Sequence, residues 1–142
     1  MIDYDFDFEM DVRDYELDTQ GVVNNSVYQN YLEHARHQFL KEMGVNFNKL
    51  HADGVDAVVH KIVLEYKRPL MGDDSFVVKS RIRQKGHVRY IFDQDIYRRP
   101  DNELMLKGVV TSVFMHDGRP IRPPEEVVNA LAEFRENSNK EN

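Results

Sequence analysis

The chain of 142 residues contains no cysteine. That absence removes any disulfide framework, thiol nucleophile, cysteine-ligated zinc site or iron–sulfur cluster, and it fits a reducing compartment. Long apolar runs are missing too, and nothing approaches the roughly 20 residues a membrane-spanning helix needs. The opening MIDYDFDFEM places Asp3, Asp5, Asp7 and Glu9 where a secretory signal would have a basic region and an apolar stretch. Positive charge is in short supply: 19 Lys and Arg stand against 25 acids, a formal net charge of -6, which speaks against a broad nucleic-acid footprint. One domain accounts for the length, leaving no room for a separate cofactor domain. The expectation is a soluble cytoplasmic protein with no cofactor, no nucleic-acid partner and no membrane partner.

What is present is clear patterning. Phe6, Phe8, Met10 and Val12 alternate with Asp5, Asp7, Glu9 and Asp11, the period of a half-buried strand, expected to run to about Tyr15. The period then changes. Val27, Tyr28, Tyr31, Leu32, Ala35, Phe39 and Met43 recur every three or four residues and Gly44 stands as the stop, which predicts one long helix buried against a sheet. A short helical turn near Phe47 to Ala52 leads into four strand-like runs, about 55–67, 74–84, 87–99 and 103–116, separated by Pro, Gly, Asp and Asn turn residues. Such short connections imply antiparallel neighbours. Met105, Val109 and Val113 alternate with Leu106, Val110 and Phe114, so the last strand should be central with both faces covered. Pro123-Pro124-Glu125-Glu126 opens a final amphipathic helix, and a disordered tail is expected over 138–142, after a single domain of 1–137. The sum is an α+β fold, a five-stranded antiparallel sheet wrapped around one long central helix.

The chemistry concentrates between the first strand and that helix, in Tyr15-Glu16-Leu17-Asp18-Thr19-Gln20-Gly21-Val22-Val23-Asn24-Asn25-Ser26-Val27-Tyr28. A helix start offers unpaired N–H groups and the positive end of the helix dipole, both suited to a developing oxyanion. Gly21 permits a sharp turn or a close backbone approach, Asn24 or Asn25 can cap the helix, and Asp18 brings a carboxylate within one loop of it. As residues alone, the same set also makes an ordinary turn and helix cap. Basic residues gather at Lys79, Arg81, Arg83, Lys85, Arg89, Arg98 and Arg99; they are either a solvated strand face or a rim for a phosphate-bearing ligand, with Arg68, Arg81 and Arg83 as candidate contacts. His34 and His37 lie three apart without a Glu-x-x-His context, and His60, His87 and His116 have no ligand spacing, so no metal is expected.

Continued through Tyr31-Leu32-Glu33-His34-Ala35-Arg36, the junction resembles the Asp-x-x-Gly-x-Val…Tyr-x-x-Tyr-x-Glu-x-x-Arg signature of the 4-hydroxybenzoyl-CoA thioesterase-like hotdog family. Asn24-Asn25 makes it most similar to the plant plastid acyl-ACP thioesterase-like branch and its bacterial relatives. The likeness extends over roughly residues 8–122 and includes Glu65-Tyr66-Lys67-Arg68-Pro69-Leu70, where the family often has a Tyr-x-Arg-Pro run. The bacterial envelope-associated branch has an aromatic-His pair where this chain has Asn24-Asn25, which disfavours a short-chain, envelope-linked substrate.

The resemblance implies a hotdog fold and hydrolysis of acyl-CoA or acyl-ACP thioesters to free acid and thiol; a non-catalytic hotdog binding acyl thioesters or fatty acids is the alternative. It implies that Asp18 is the catalytic carboxylate and that the Asn25 N–H is the oxyanion donor. Gly21, Val23, Asn24 and Tyr28 would border the substrate. Another branch places its catalytic glutamate on this helix, so Glu33 is a second carboxylate to consider, against a structural role paired with Arg36 or a tyrosine. Family active sites lie at a dimer interface, which implies a homodimer or a homotetramer built from two.

Overall fold

The computed structural model describes residues 3–140. The recurrent apolar residues wind Asn25–Glu42 into α1, whose buried residues Tyr28, Tyr31, Leu32, Ala35, Arg36 and Phe39 form one continuous stripe. Asn24 caps it, its Oδ1 accepting the Ser26 N–H at 3.1 Å, and Gly44 ends it at φ +80°, a left-handed turn that glycine adopts without a Cβ clash. A short α2 follows (Phe47–Ala52), capped by Asn46 and anchored by the buried Leu50.

Among the described residues, six strands form one antiparallel sheet: β1 (Phe6–Asp11), β2 (Val55–Tyr66), β3 (Ser75–Lys85), β4 (Arg89–Arg99), β5 (Glu103–His116) and β6 (Arg119–Ile121). Their order is β1-β3-β4-β5-β2, with β6 folded back onto β5. The helix lies on the face presented by Phe76, Val78, Ile96, Met105 and Leu106, which together with Tyr28, Tyr31, Leu32 and Ala35 make one core cluster. A second cluster gathers Phe39, Met43, Tyr90, Phe92, Val110 and Phe114 under the other end of α1, where α3 (Glu125–Lys140) adds Val127, Leu131 and Phe134. Close approach of helix and sheet depends on Gly108 in β5: a Cβ there would sit 2.8 Å from the Gln94 carbonyl oxygen and 2.9 Å from Leu32 Cδ1. β5 is central as expected, but its two faces differ: Leu106, Gly108 and Val110 are enclosed on the helix side, whereas Lys107, Val109 and Thr111 on the other side are only half-buried.

β2 is different. It pairs only with β5 along one side, its other backbone edge has no strand partner among the described residues, and Val58, Val59, Val63 and Tyr66 are each more than two-fifths exposed.

Three boundaries depart from the patterning. β1 stops at Asp11, not near Tyr15, because its partner β3 begins opposite it at Ser75; the chain then enters a 3-10 turn at Asp14–Glu16, where the Arg13 N–H donates to Glu16 Oε1 at 2.8 Å. A sixth strand, β6, closes a tight hairpin on Asp117-Gly118, both at positive φ; three residues containing Pro120 are too few to show alternation. The last helix continues to Lys140, so 138–140 are helical where a tail was expected. Phe134 packs against Phe39 and Arg135 grips Asp5 through two hydrogen bonds of 2.8 Å, anchoring a segment free of Gly and Pro. Residues 141 and 142 lie outside the described part.

Candidate active site

Between the 3-10 turn and α1 the chain makes a small hairpin. Leu17 and Val23 form an antiparallel bridge, the Asp18 N–H donates to the Val22 carbonyl at 2.8 Å, and Gly21 closes the turn at φ +78°. The loop is pinned on both sides. The Val23 N–H donates to the Leu70 carbonyl at 2.9 Å and the Asn24 N–H to the Glu16 carbonyl at 3.1 Å. Within it, Asp18 Oδ1 accepts the Gln20 N–H at 2.8 Å and the Val22 N–H at 3.4 Å. The other carboxylate oxygen takes no hydrogen bond among the described residues and the side chain is exposed. Two backbone donors thus hold the carboxylate in one orientation and leave one oxygen for chemistry.

At the start of α1 the capping arrangement is selective. The Ser26 N–H goes to Asn24 Oδ1 and the Val27 N–H to the Asn24 carbonyl at 2.9 Å, whereas the Asn25 N–H, first of the helix, has no acceptor among the described residues. This is the group a helix start leaves open to an anion. A cavity of about 200 Å³ opens beside it, lined by Asn25, Tyr28, Tyr66, Lys67, Arg68 and Pro69. The Tyr28 hydroxyl accepts the Leu70 N–H at 2.9 Å, and burial pushes its pKa up, so it stays protonated with its own hydrogen free to donate. The Tyr66 hydroxyl donates to the Asn25 carbonyl at 3.3 Å, and its ring meets Tyr28 edge-on. Lys67 and Arg68 stand at the mouth, on Glu65 and Glu103 at 2.9 and 2.8 Å.

The other candidate residues are placed as follows. Val23 is buried in the core beside Tyr28 and Leu70, so it supports the loop from beneath and does not line the cavity. Asn24 is occupied as the cap. Glu33 is exposed, 3.9 Å from His37, and lies eight residues, about 12 Å, along α1 from Asn25, away from the small cavity. The expected Glu33–Arg36 pair is absent among the ion pairs of the described residues; Arg36 donates instead to Gln94.

Arg81 and Arg83 do not reach the cavity either. Both guanidiniums converge on Asp93 of β4 at 2.8 Å, on the sheet face turned away from α1. Much of the basic strip is matched in the same way, Lys79 with Asp7, Arg98 with Asp101 and Glu103, and Arg99 with Glu9. Burial alone would raise the Asp93 carboxyl, but hydrogen bonds from Arg83 and Arg81 bring it below its usual value. A carboxyl depressed in the folded state adds stability that is present above its unfolded pKa and is lost as pH falls through the folded one. Asp93→Asn should therefore lower the urea midpoint most near about pH 7, and the gap from the parent should shrink at about pH 3. An equal gap at both values would mean that shape, not charge, carries the effect.

Two residues of the cavity, Tyr66 and Lys67, went without a role in the sequence, although both stand in the Glu65–Leu70 run. The signal was a tyrosine and two cations in succession just before Pro69, at the end of a strand.

Comparison with known proteins places the chain in a family. The family model described as the thioesterase-like superfamily matches residues 12–131. The chloroplastic acyl-acyl carrier protein thioesterase ATL3 of Arabidopsis thaliana is 37% identical over 127 residues, covering 89% of this chain and 67% of that protein. The long-chain acyl-CoA thioesterase FadM of Escherichia coli is 30% identical over 105 residues, 74% of this chain and 79% of the relative. Among solved structures, a hypothetical protein from Aquifex aeolicus superposes with a TM-score of 0.81 at 28% identity, covering 89% of this chain and 98% of the other. With a sheet packed against the apolar stripe of one long helix, the chain belongs to the thioesterase-like superfamily and has its hotdog fold.

Proposed function

We propose that the protein hydrolyses acyl thioesters of coenzyme A or acyl carrier protein, with the thioester carbonyl held on the Asn25 N–H. The single observation that supports this most is the capping geometry, which satisfies Ser26 and Val27 and, among the described residues, leaves the Asn25 N–H open at the start of an 18-residue helix. As the carbonyl carbon becomes tetrahedral, negative charge grows on its oxygen, and a donor fixed there beforehand stabilises it without rearranging. Asp18 supplies the other half. Its free oxygen either adds to the carbonyl carbon, expelling the thiolate and leaving an anhydride that water opens, or takes a proton from water as that water adds. Both routes consume one water and release one acid and one thiol. Lys67 and Arg68 at the mouth suit the phosphate groups that both carriers present, exchanging Glu65 and Glu103 for phosphate oxygens.

The open edge of β2 supports a homodimer joined there: an unpaired twelve-residue edge with exposed valines is what strand pairing between two copies would cover, and Tyr66 ties that edge to the cavity at Asn25. A tetramer would pair two such dimers through another face. Among the described residues no helix is long and apolar enough to cross a membrane.

A thiol-release assay across acyl-CoA chain lengths and acyl-ACP tests the proposal. Release of one thiol per acid is expected with at least one carrier. Tight binding of every acyl thioester without thiol release would instead leave a non-catalytic binding protein.

A further inference from the structure

A second, larger cavity of about 690 Å³ lies between α1, α2 and the first half of β2. Its apolar wall includes Leu40, Phe47, Val55 and Val58. Arg36 also lines it, and is only 8% exposed. Of its five N–H donors, one bond is made to protein among the described residues, from Nη1 to Gln94 Oε1 at 3.0 Å. Gln94 is locked in that pose, because its Nε2 donates to the Leu32 carbonyl and to Ser80 Oγ, each at 3.1 Å. No carboxylate among the described residues stands within ion-pair distance of the Arg36 guanidinium. The two acids of the cavity sit at its exposed rim and each faces a histidine, Glu33 with His37 and Asp56 with His51.

Glu33 acts on this guanidinium only from beyond ion-pair distance, and the unbonded N–H groups of Arg36 open onto the cavity, an arrangement that a visiting anion would improve. The planar fork of Arg36 matches the two oxygens of a carboxylate, and the wall beyond is hydrocarbon. We propose that this cavity binds an amphipathic carboxylate, with the two oxygens on Arg36 and the chain along Leu40, Phe47 and the β2 valines.

Two sources share that chemistry. One is a free fatty acid. The other is the far end of a dicarboxylic acyl thioester: Arg36 lies eleven residues, about three turns and 16 Å, from Asn25, so both face nearly the same side of α1. This second source rests on the thioesterase reading.

The test is calorimetric titration of the protein with dodecanoate and with dodecanol. Dodecanoate should bind about tenfold or more tightly than the alcohol, the worth of a charge-assisted hydrogen-bonded pair. Arg36→Met should remove that preference. Because Arg36 is buried, His37→Glu provides a variant on the exposed wall that places a carboxylate in the cavity; it should weaken dodecanoate several-fold and spare dodecanol. Equal binding of acid and alcohol by the parent, or a preference that survives both variants, would overturn the proposal. Lower KM for dodecanedioyl-CoA than for dodecanoyl-CoA, abolished by His37→Glu, identifies the acyl source; preference for dodecanoate without that KM difference identifies the free acid. Thiol release by the same parent preparation separates the two readings: carboxylate binding without thiol release defeats hydrolysis alone, and thiol release without carboxylate preference defeats this site alone.

Discussion

Asn25→Pro is expected to lower kcat by roughly 10²–10³, the effect of deleting one oxyanion donor, while the melting temperature stays close to that of the parent. Backbone donors are usually beyond the reach of mutagenesis, but this one sits at the first position of α1, where proline fits: its missing N–H has no helical acceptor there and its fixed φ suits the helix. The residue before a proline must be extended, and Asn24 already is, at φ -61° and ψ 138°. Asn25→Ala separates the two parts of the residue, since it removes the side chain and retains the N–H, and it should keep most of the turnover. Equal loss in Asn25→Pro and Asn25→Ala would transfer the role from the backbone to the amide side chain, and full activity in both would remove Asn25 from the mechanism.

The second large effect is expected at Asp18. Asp18→Asn should reduce kcat at least about a hundredfold, the scale of a positioned base or nucleophile. Stability should barely move, because the oxygen that accepts the Gln20 and Val22 N–H groups persists in the amide and holds the hairpin in shape. If Asp18 served only that turn, the variant would lose neither turnover nor much stability. Glu33→Gln is the paired measurement, and it should cost far less, since Glu33 faces His37 some two turns along the helix. A well-folded Asp18→Asn with ordinary turnover beside an inactive Glu33→Gln would move the reacting carboxylate onto α1.

Local patterns carried most of the fold. Tyr28, Tyr31, Leu32, Ala35 and Phe39 announce a helix through their spacing, Gly44 ends it, and the turn residues between strands set the antiparallel order. Asp18, Gly21 and Asn25 were legible for the same reason, since turn, cap and helix start are neighbours in the chain. What depended on register was not. Arg81 and Arg83 read as free cations because Asp93, their partner, lies across the β3–β4 ladder. Glu33 and Arg36 are spaced to pair along one helix, yet the Arg36 bond goes to Gln94, 58 positions away. Of the two acids in Tyr90-Ile91-Phe92-Asp93-Gln94-Asp95-Ile96, both buried among apolar residues, each had to find a partner: Asp93 meets Arg81 and Arg83, and Asp95 the Tyr4 hydroxyl. β6 escaped notice because three residues are too short for any period to emerge.

β2 has a further consequence for how the chain is made. Its one strand partner among the described residues is β5, and Val55–Tyr66 leaves the ribosome well before Glu103–His116 exists to pair with it. During that interval a β-branched segment with Val58, Val59 and Val63 has neither edge matched, the condition in which nascent chains stick to one another or are held by chaperones. Asp56, His60, Lys61 and Glu65 interrupt those valines at short intervals. Polar residues so placed act as gatekeepers against aggregation while the sheet waits for its last long strand.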